Sequence, residues 1–580
     1  MPETRKLPRY TADMFKDPAQ DCDVLLKGGI TAGVVYPYAV LELARQYRFH
    51  SIGGTSAGAI AAIFAAAAEY ARTGRGDPAG FVRLQARCDT IPEVLSALFQ
   101  PEPRFRPLMG YLLRAQAGGP LAKIVGLPLA FPLASIAGVL IGAGLLWLAA
   151  AGIAGAILGG LVGLVAAILI RTLRLAFHDL PREGFGFCSG LSEKGYKVAG
   201  LTEWLHEAIQ DIAFGADAVT APPLTFGMLA GPAPDKRVID LRMVTTNLTM
   251  RRPHALPVLN LDVAYDPIEW RKLFPEPVMR WLTQVAKPAK QLEGLCEFPQ
   301  PADLPIVIAA RMSLSFPILF KAIPTYVNDR GTLEILHLTN GTAPEIRKAR
   351  LWFADGGISS NFPIHLFDAL LPSRPTFALS LDELPPGANE AGERVAIPQG
   401  AGDGIGIPVR PIESLGGYAA SILGSAKDWQ DQLLATMPGQ RERIARVFLS
   451  NAEGGLNLTM PETRSTALMT YGQIVGERFA KGALDFDEHR WRRALVAYDQ
   501  LEEVIAETEG LWSVGGFGGW LAGYLAHPRS YQKVTPTERA AVHARLAAFA
   551  TLAQTFTPQI KNKRGKFPRP IGRLRIGPNV

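Results

Sequence analysis

The first hundred residues carry two apolar runs, each closed by glycines. They are "CDVLLKGG" over 22–29 and "FHSIGG" over 49–54. Short apolar stretches bounded by turn residues predict buried strands. A helical rhythm follows each: "AGVVYPYAVLELARQY" over 32–47 and the alanine-rich "AGAIAAIFAAAAEYART" over 57–73. Two strand–turn–helix units in succession predict parallel strands and an α/β fold. Further strands are predicted over 238–249, 351–354 and 376–382. A Gly/Pro-rich stretch over 386–411 reads as a linker, and 412–550 is mostly helical by period.

Between these parts the pattern changes. Residues 124–170 form a run of 47 without a charge. One membrane-spanning helix needs about 20 residues, so the run fits a transmembrane helical hairpin, with one leg over 124–146, a turn near 149–152 and a return over 153–170. Small residues recur at four-residue spacing, at Gly138/Gly142 and Gly155/Gly159/Gly163, a spacing that lets two helices approach closely in lipid. Arg104, Arg106, Arg114 and Lys123 precede the run, and Arg171 and Arg174 follow it. Basic flanks place both ends on the cytoplasmic side. The expected location is therefore a membrane of the bacterial inner-membrane kind, multi-pass, with the catalytic part in the cytoplasm.

Composition agrees: 48% of residues are hydrophobic and 19% charged. The net charge of +7 is concentrated at the end of the chain, where 551–580 holds seven basic residues and no acid. This basic tail suits an anionic membrane surface. No nucleic-acid module accompanies it, so nucleic acid is not an expected partner. The polar residues 1–19 lack the apolar core of a signal peptide. Cys22, Cys88, Cys188 and Cys296 are scattered without metal or redox spacing. No metal and no cofactor are expected, and the oligomeric state is open.

The chemistry centres on "GGTSAG". Gly54-Thr55-Ser56-Ala57-Gly58 is a G-x-S-x-G pattern between a predicted strand and a predicted helix, which can place Ser56 on a tight turn as a nucleophile. A serine needs a base and donors for the oxyanion. Gly28, Gly29 and Gly33, at the turn one βα unit earlier, are candidate donors through their backbone N–H groups. Asp355, in "LWFADGGISSNFP" just after an apolar strand, is a candidate base, since α/β sites form at strand ends. A histidine is the other candidate, and His365, His489, His527 and His543 would give a Ser–Asp–His order.

Taken in order, Gly28-Gly29-x-x-x-Gly33, Gly54–Gly58 and Asp355-Gly356-Gly357 resemble the patatin-like phospholipases, and "ARMSLSFPILFKAIP" over 310–324 looks like that family's Ser/Pro segment. The resemblance spans roughly 20–385, with the hairpin as an insertion. Ile30 stands where members often have a third glycine, and Ala32 where they often have Lys or Arg; neighbouring Lys27 is a candidate substitute. The resemblance implies a patatin-like three-layer fold with a parallel-rich central sheet and a Ser56–Asp355 dyad without a catalytic histidine. Gly54 and Gly58 would shape the elbow. The implied activity is hydrolysis of fatty-acyl esters of membrane phospholipid or lysophospholipid. The expected organisation is an N-terminal segment (1–19), a catalytic domain (20–385) interrupted by the hairpin (124–170), a linker (386–411), a helical C-terminal region (412–550) and the basic tail (551–580). The rival reading, prompted by Ile30 and Ala32, is a catalytically weak or inactive patatin-fold membrane scaffold or regulator.

Overall fold

A computed structural model of the chain describes residues 6–29, 32–117, 119–149, 152–232, 238–400, 402–404, 406–409, 411–450, 452–455, 457–458, 460–528, 530 and 533–555. Ile30 and nearly all of the basic tail lie outside the described residues.

An eleven-stranded mixed sheet organises the molecule. Its centre is parallel: Ile444–Leu449, Thr376–Glu383, Gln20–Leu26, Tyr47–Gly54 and Asp240–Asn247 lie side by side in that order. Lys348–Asp355 then runs antiparallel to Asp240–Asn247, and Ile323–Asn328 antiparallel to it in turn. The five strands foreseen in outline are all present, with ends that differ from the expected ones by up to three residues. Side chains alternate across the sheet, as a period of two requires. Val24, Leu26, Leu379 and Val447 face the larger core, whereas Leu25, Ala378, Val244 and Ile444 face a smaller one on the opposite side. Helix Ala57–Arg75 packs on the strand that precedes it. Its run of alanines lets backbone approach backbone, and nearly every residue over its first four turns is buried.

The C-terminal region is not a separate body. Ile444–Leu449 pairs in parallel with Thr376–Glu383, and helix Glu462–Ala480 packs across helix Tyr36–Ala44. The stretch 386–411 therefore leads back into the sheet rather than away from it. The strand was missed because a six-residue apolar run is weak beside the long helical periods that flank it.

The charge-free run also departs from expectation. Pro132 lacks an N–H and disfavours helical backbone at Phe131, whose φ/ψ of −124°/63° ends one helix before the next begins. The intended first leg is thus split into Pro120–Ala130 and Pro132–Leu148, the latter only 17 residues long. Among the described residues one helix, Gly152–Arg182, is long and apolar enough to cross a membrane. Pro132–Leu148 and Gly152–Arg174 pack antiparallel through glycine. A Cβ on Gly138 would meet the Gly163 carbonyl, and one on Gly142 would meet that of Gly159. Their outer surfaces are bare, with Leu133 83%, Leu148 84% and Ile153 73% exposed.

Candidate active site

Ser56 sits between strand Tyr47–Gly54 and helix Ala57–Arg75 with φ 54° and ψ −126°. A side chain rarely holds such backbone, and strain of this kind concentrates at functional sites. The flanking glycines make the turn possible. A Cβ on Gly54 would strike Gly58, and one on Gly58 would strike the carbonyl of Leu26 in the next strand. Ser56 N–H donates to Ser313 Oγ at 3.2 Å, and Ser313 Oγ donates to Val244 O at 2.6 Å. Ser313 lies in the Ser/Pro segment, whose role here is to hold the elbow.

Asp355 ends strand Lys348–Asp355 and is 3% exposed. Gly357 N–H donates to its Oδ1 at 2.7 Å, its own N–H donates to Ser315 O at 3.0 Å, and Thr246 Oγ1 donates to its carbonyl at 2.8 Å. The backbone of Asp355 is therefore fixed by two other segments, and its carboxylate by the turn that follows it. Its Oδ2 completes no well-formed hydrogen bond among the described residues, yet the Ser56 hydroxyl is near enough to favour the ionised form. The two groups are within reach without being locked together, as is common before substrate binds. Burial pushes the Asp355 pKa up to about 6; Ser56, the Gly357 N–H and Lys427 oppose that rise. The fold thus brings together Ser56 and Asp355, 299 positions apart. No histidine hydrogen-bonds to either among the described residues.

The glycine turn is arranged differently from expectation. Gly28 N–H donates to Asn361 O at 2.7 Å, so it is not free to hold an oxyanion. Ala57 N–H, the usual donor after an elbow serine, donates to Gly29 O at 3.1 Å. Gly29 N–H has no partner among the described residues. Gly33 is packed against Ala57, whose side chain a Cβ at Gly33 would strike. Turning the Gly29 carbonyl away would release Ala57 N–H as a second donor. Lys27 does not substitute for the cation missing at Ala32, because its ammonium is bound to Asp382 at 2.7 Å and Ser380 at 3.2 Å. Ala32 itself is buried in a short 3-10 turn, Ala32–Val35.

Sequence reasoning missed Asn361. Its carbonyl receives both Gly28 N–H and Thr55 Oγ1, the latter at 2.9 Å, and so joins the glycine turn, the elbow and the Asp355 loop. Its position six residues after Asp355, in "DGGISSNFP", was the available signal. It also missed the part played by Asp431, in helix Leu415–Thr436 of the region read as helical, which accepts Phe362 N–H at 2.7 Å.

An apolar cavity opens beside the serine. Gly33, Ala57, Ile60, Phe64, Trp204, Leu314, Phe316 and Phe320 line it together with Ser56. Among the described residues no cluster of His, Cys, Asp or Glu is placed to hold a metal.

No family model matches the chain. The RpoH suppressor of Rhizobium meliloti (strain 1021) is 32% identical to it over 648 aligned positions, which take in 97% of this chain and 100% of that protein. Two solved structures are similar at a low level. VipD from Legionella pneumophila has a TM-score of 0.31 and 12% identity, over 92% of this chain and 88% of that one. The ExoU–SpcU complex of Pseudomonas aeruginosa has a TM-score of 0.23 and 15% identity, over 95% of this chain and 79% of that one.

Proposed function

We propose that this chain, which belongs to the same family as the Rhizobium meliloti RpoH suppressor, is a membrane-anchored serine hydrolase of fatty-acyl esters. The reading rests on one observation: a strained serine and a buried carboxylate meet at the mouth of an apolar cavity. Asp355 takes the proton of Ser56. Ser56 Oγ attacks the ester carbonyl carbon, and the acyl chain lies in the cavity. The C–O bond to the alcohol breaks, the alcohol leaves with the proton, and an acyl-enzyme remains. Asp355 then takes a proton from water, which attacks the acyl carbon and releases the fatty acid. Gly29 N–H, joined by Ala57 N–H once the Gly29 carbonyl turns, holds the oxyanion.

The substrate class follows from the exposed glycine-packed hairpin. A helix of 17 residues is at the lower limit for crossing a bilayer, and its partner exceeds it. Ser56 precedes the hairpin and Asp355 follows it, so one site requires an even number of crossings. The hairpin holds the site against a leaflet, where phospholipid and lysophospholipid are the abundant acyl esters. The ring cluster of Trp512, Phe517, Trp520 and Tyr524, with Trp520 54% exposed, offers a second apolar contact with lipid.

The rival reading, an inactive membrane scaffold of the same fold, draws on the engaged N–H groups of Gly28 and Ala57. One experiment separates the two. Ser56→Ala is expected to lower hydrolysis of short acyl esters by about three orders of magnitude or more, and a fluorophosphonate probe to label wild type at Ser56 alone. Hydrolysis or labelling that persists in Ser56→Ala removes the hydrolase reading.

A further inference from the structure

Helix Leu415–Thr436 is remote from Ser56 in sequence, yet it packs on the loop that follows Asp355. Its inner face is marked by Ala435, buried against Phe362 in the smaller core, and by Asp431 one turn earlier. The Asp431 carboxylate accepts Phe362 N–H at 2.7 Å and faces Ser360 Oγ at 3.4 Å, and so clamps the loop that runs on from Asp355. Residues four apart stack on one helix face. Lys427 therefore lies a further turn, about 5.4 Å, along the same face. Its ammonium is close enough to Asp355 to favour the carboxylate form.

Two other cations near the site are committed. Lys27 is paired with Asp382, which also binds Arg446. Arg311 is fully buried, with its guanidinium on Ser315 Oγ, Ser189 O and Lys321 O. Lys427 is half-buried and enters no ion pair or hydrogen bond among the described residues. Asp428, beside it in sequence, does not take it up; its own Oδ1 is buried without a partner. An ammonium held in this way is short of hydration and is balanced, among the described residues, only by the Asp355 carboxylate, with which it makes no direct ion pair. An arriving phosphate supplies the counter-ion, and lysine binds phosphate as a point charge.

We propose that Lys427 is the anion receptor of the site, taking a phosphate that neighbours the scissile ester, so that acyl esters bearing phosphate are selected over uncharged acylglycerols. The proposal rests on the hydrolase reading above and adds to it the residue that recognises the phosphate.

The test compares two soluble substrates on the full-length protein in detergent: 1-hexanoylglycerol and 1-hexanoylglycerol 3-phosphate. The measured quantity is the ratio of kcat/KM for the phosphorylated ester to that for the neutral one. Lys427→Met is expected to lower this ratio at least tenfold and Lys427→Arg to restore most of it. A loss that acts only through Asp355 falls equally on both substrates, leaves the ratio unchanged and overturns the proposal. Melting temperatures of both variants identify any that fail to fold, and if Lys427→Met does so Lys427→Gln takes its place: a ratio at least tenfold below wild type supports the receptor, and a ratio within threefold of wild type overturns it. If wild type cleaves neither ester, the hydrolase reading fails rather than the receptor. Binding of glycerol 3-phosphate by titration then decides: at least tenfold weaker in Lys427→Met supports it, and equal affinity overturns it.

Discussion

At the scale of single residues, the decisive property is the acidity of Asp355. Burial raises its pKa to about 6 from 3.8. A base must be ionised to accept a proton, so kcat/KM should fall as pH falls through about 6. The same shift has a sign in stability. Folded Asp355 keeps its proton up to about pH 6, whereas unfolded Asp355 releases it near 3.8. The stability it contributes is therefore present below about pH 4 and lost as pH rises through 6. Asp355→Asn should abolish hydrolysis and yet melt higher than wild type at pH 8, by on the order of 1–3 kcal/mol, with no advantage at pH 4. Scanning melting temperature against pH for both proteins checks this; identical curves would count against a buried, ionised base. Ser56 and Asp355 were legible in sequence because each sits in a contiguous pattern with glycines that its turn requires. Asn361, Asp431 and Lys427 were not. They act through a backbone carbonyl or across a helix face, and neither leaves a local signature.

At the scale of elements, glycine sets how closely the two hairpin helices pack. Gly138 and Gly142 face Gly163 and Gly159 across the antiparallel pair, with no room for a side chain at either contact. Gly142→Leu should force the helices apart. Limited proteolysis in detergent micelles should then cut the segment near 149–152 at least several-fold faster than in wild type, while Gly144→Leu, at a position with open space, should not. The four-residue spacing foretold this contact. The broken first leg was also visible, since Pro128 and Pro132 stand inside the run, but counting apolar residues gave them no weight. The glycine turn lies beside the elbow, but Gly28 N–H, one of the candidate donors, is already taken up. Which N–H groups are free depends on carbonyls contributed by Asn361 and Gly29, and glycine spacing says nothing about these.

At the scale of the whole molecule, the sheet is assembled from distant parts of the chain, and the hairpin is an appendage to it. Removing 124–170 with a Gly/Ser bridge should yield a protein that no longer sediments with membranes, still hydrolyses dispersed short esters, and works at least tenfold more slowly on phospholipid vesicles. Sedimentation and a paired activity measurement decide it; a truncated protein that remains membrane-bound would show the anchor to be elsewhere. The parallel centre of the sheet has a further consequence, in time rather than space. Its middle strand, Gln20–Leu26, leaves the ribosome early, but its neighbour Thr376–Glu383 and the edge beyond it, Ile444–Leu449, come hundreds of residues later. The apolar hairpin ends at Arg174, 275 residues before Leu449. At typical synthesis rates that interval is roughly 15–55 s. Until Glu383 is made, late in that interval, the hairpin is complete while the first two strands have no third to pair with on one side. The nascent chain thus commits its apolar segment before it has a core, and those two strands wait, exposed along one edge, for the chain that will cover them.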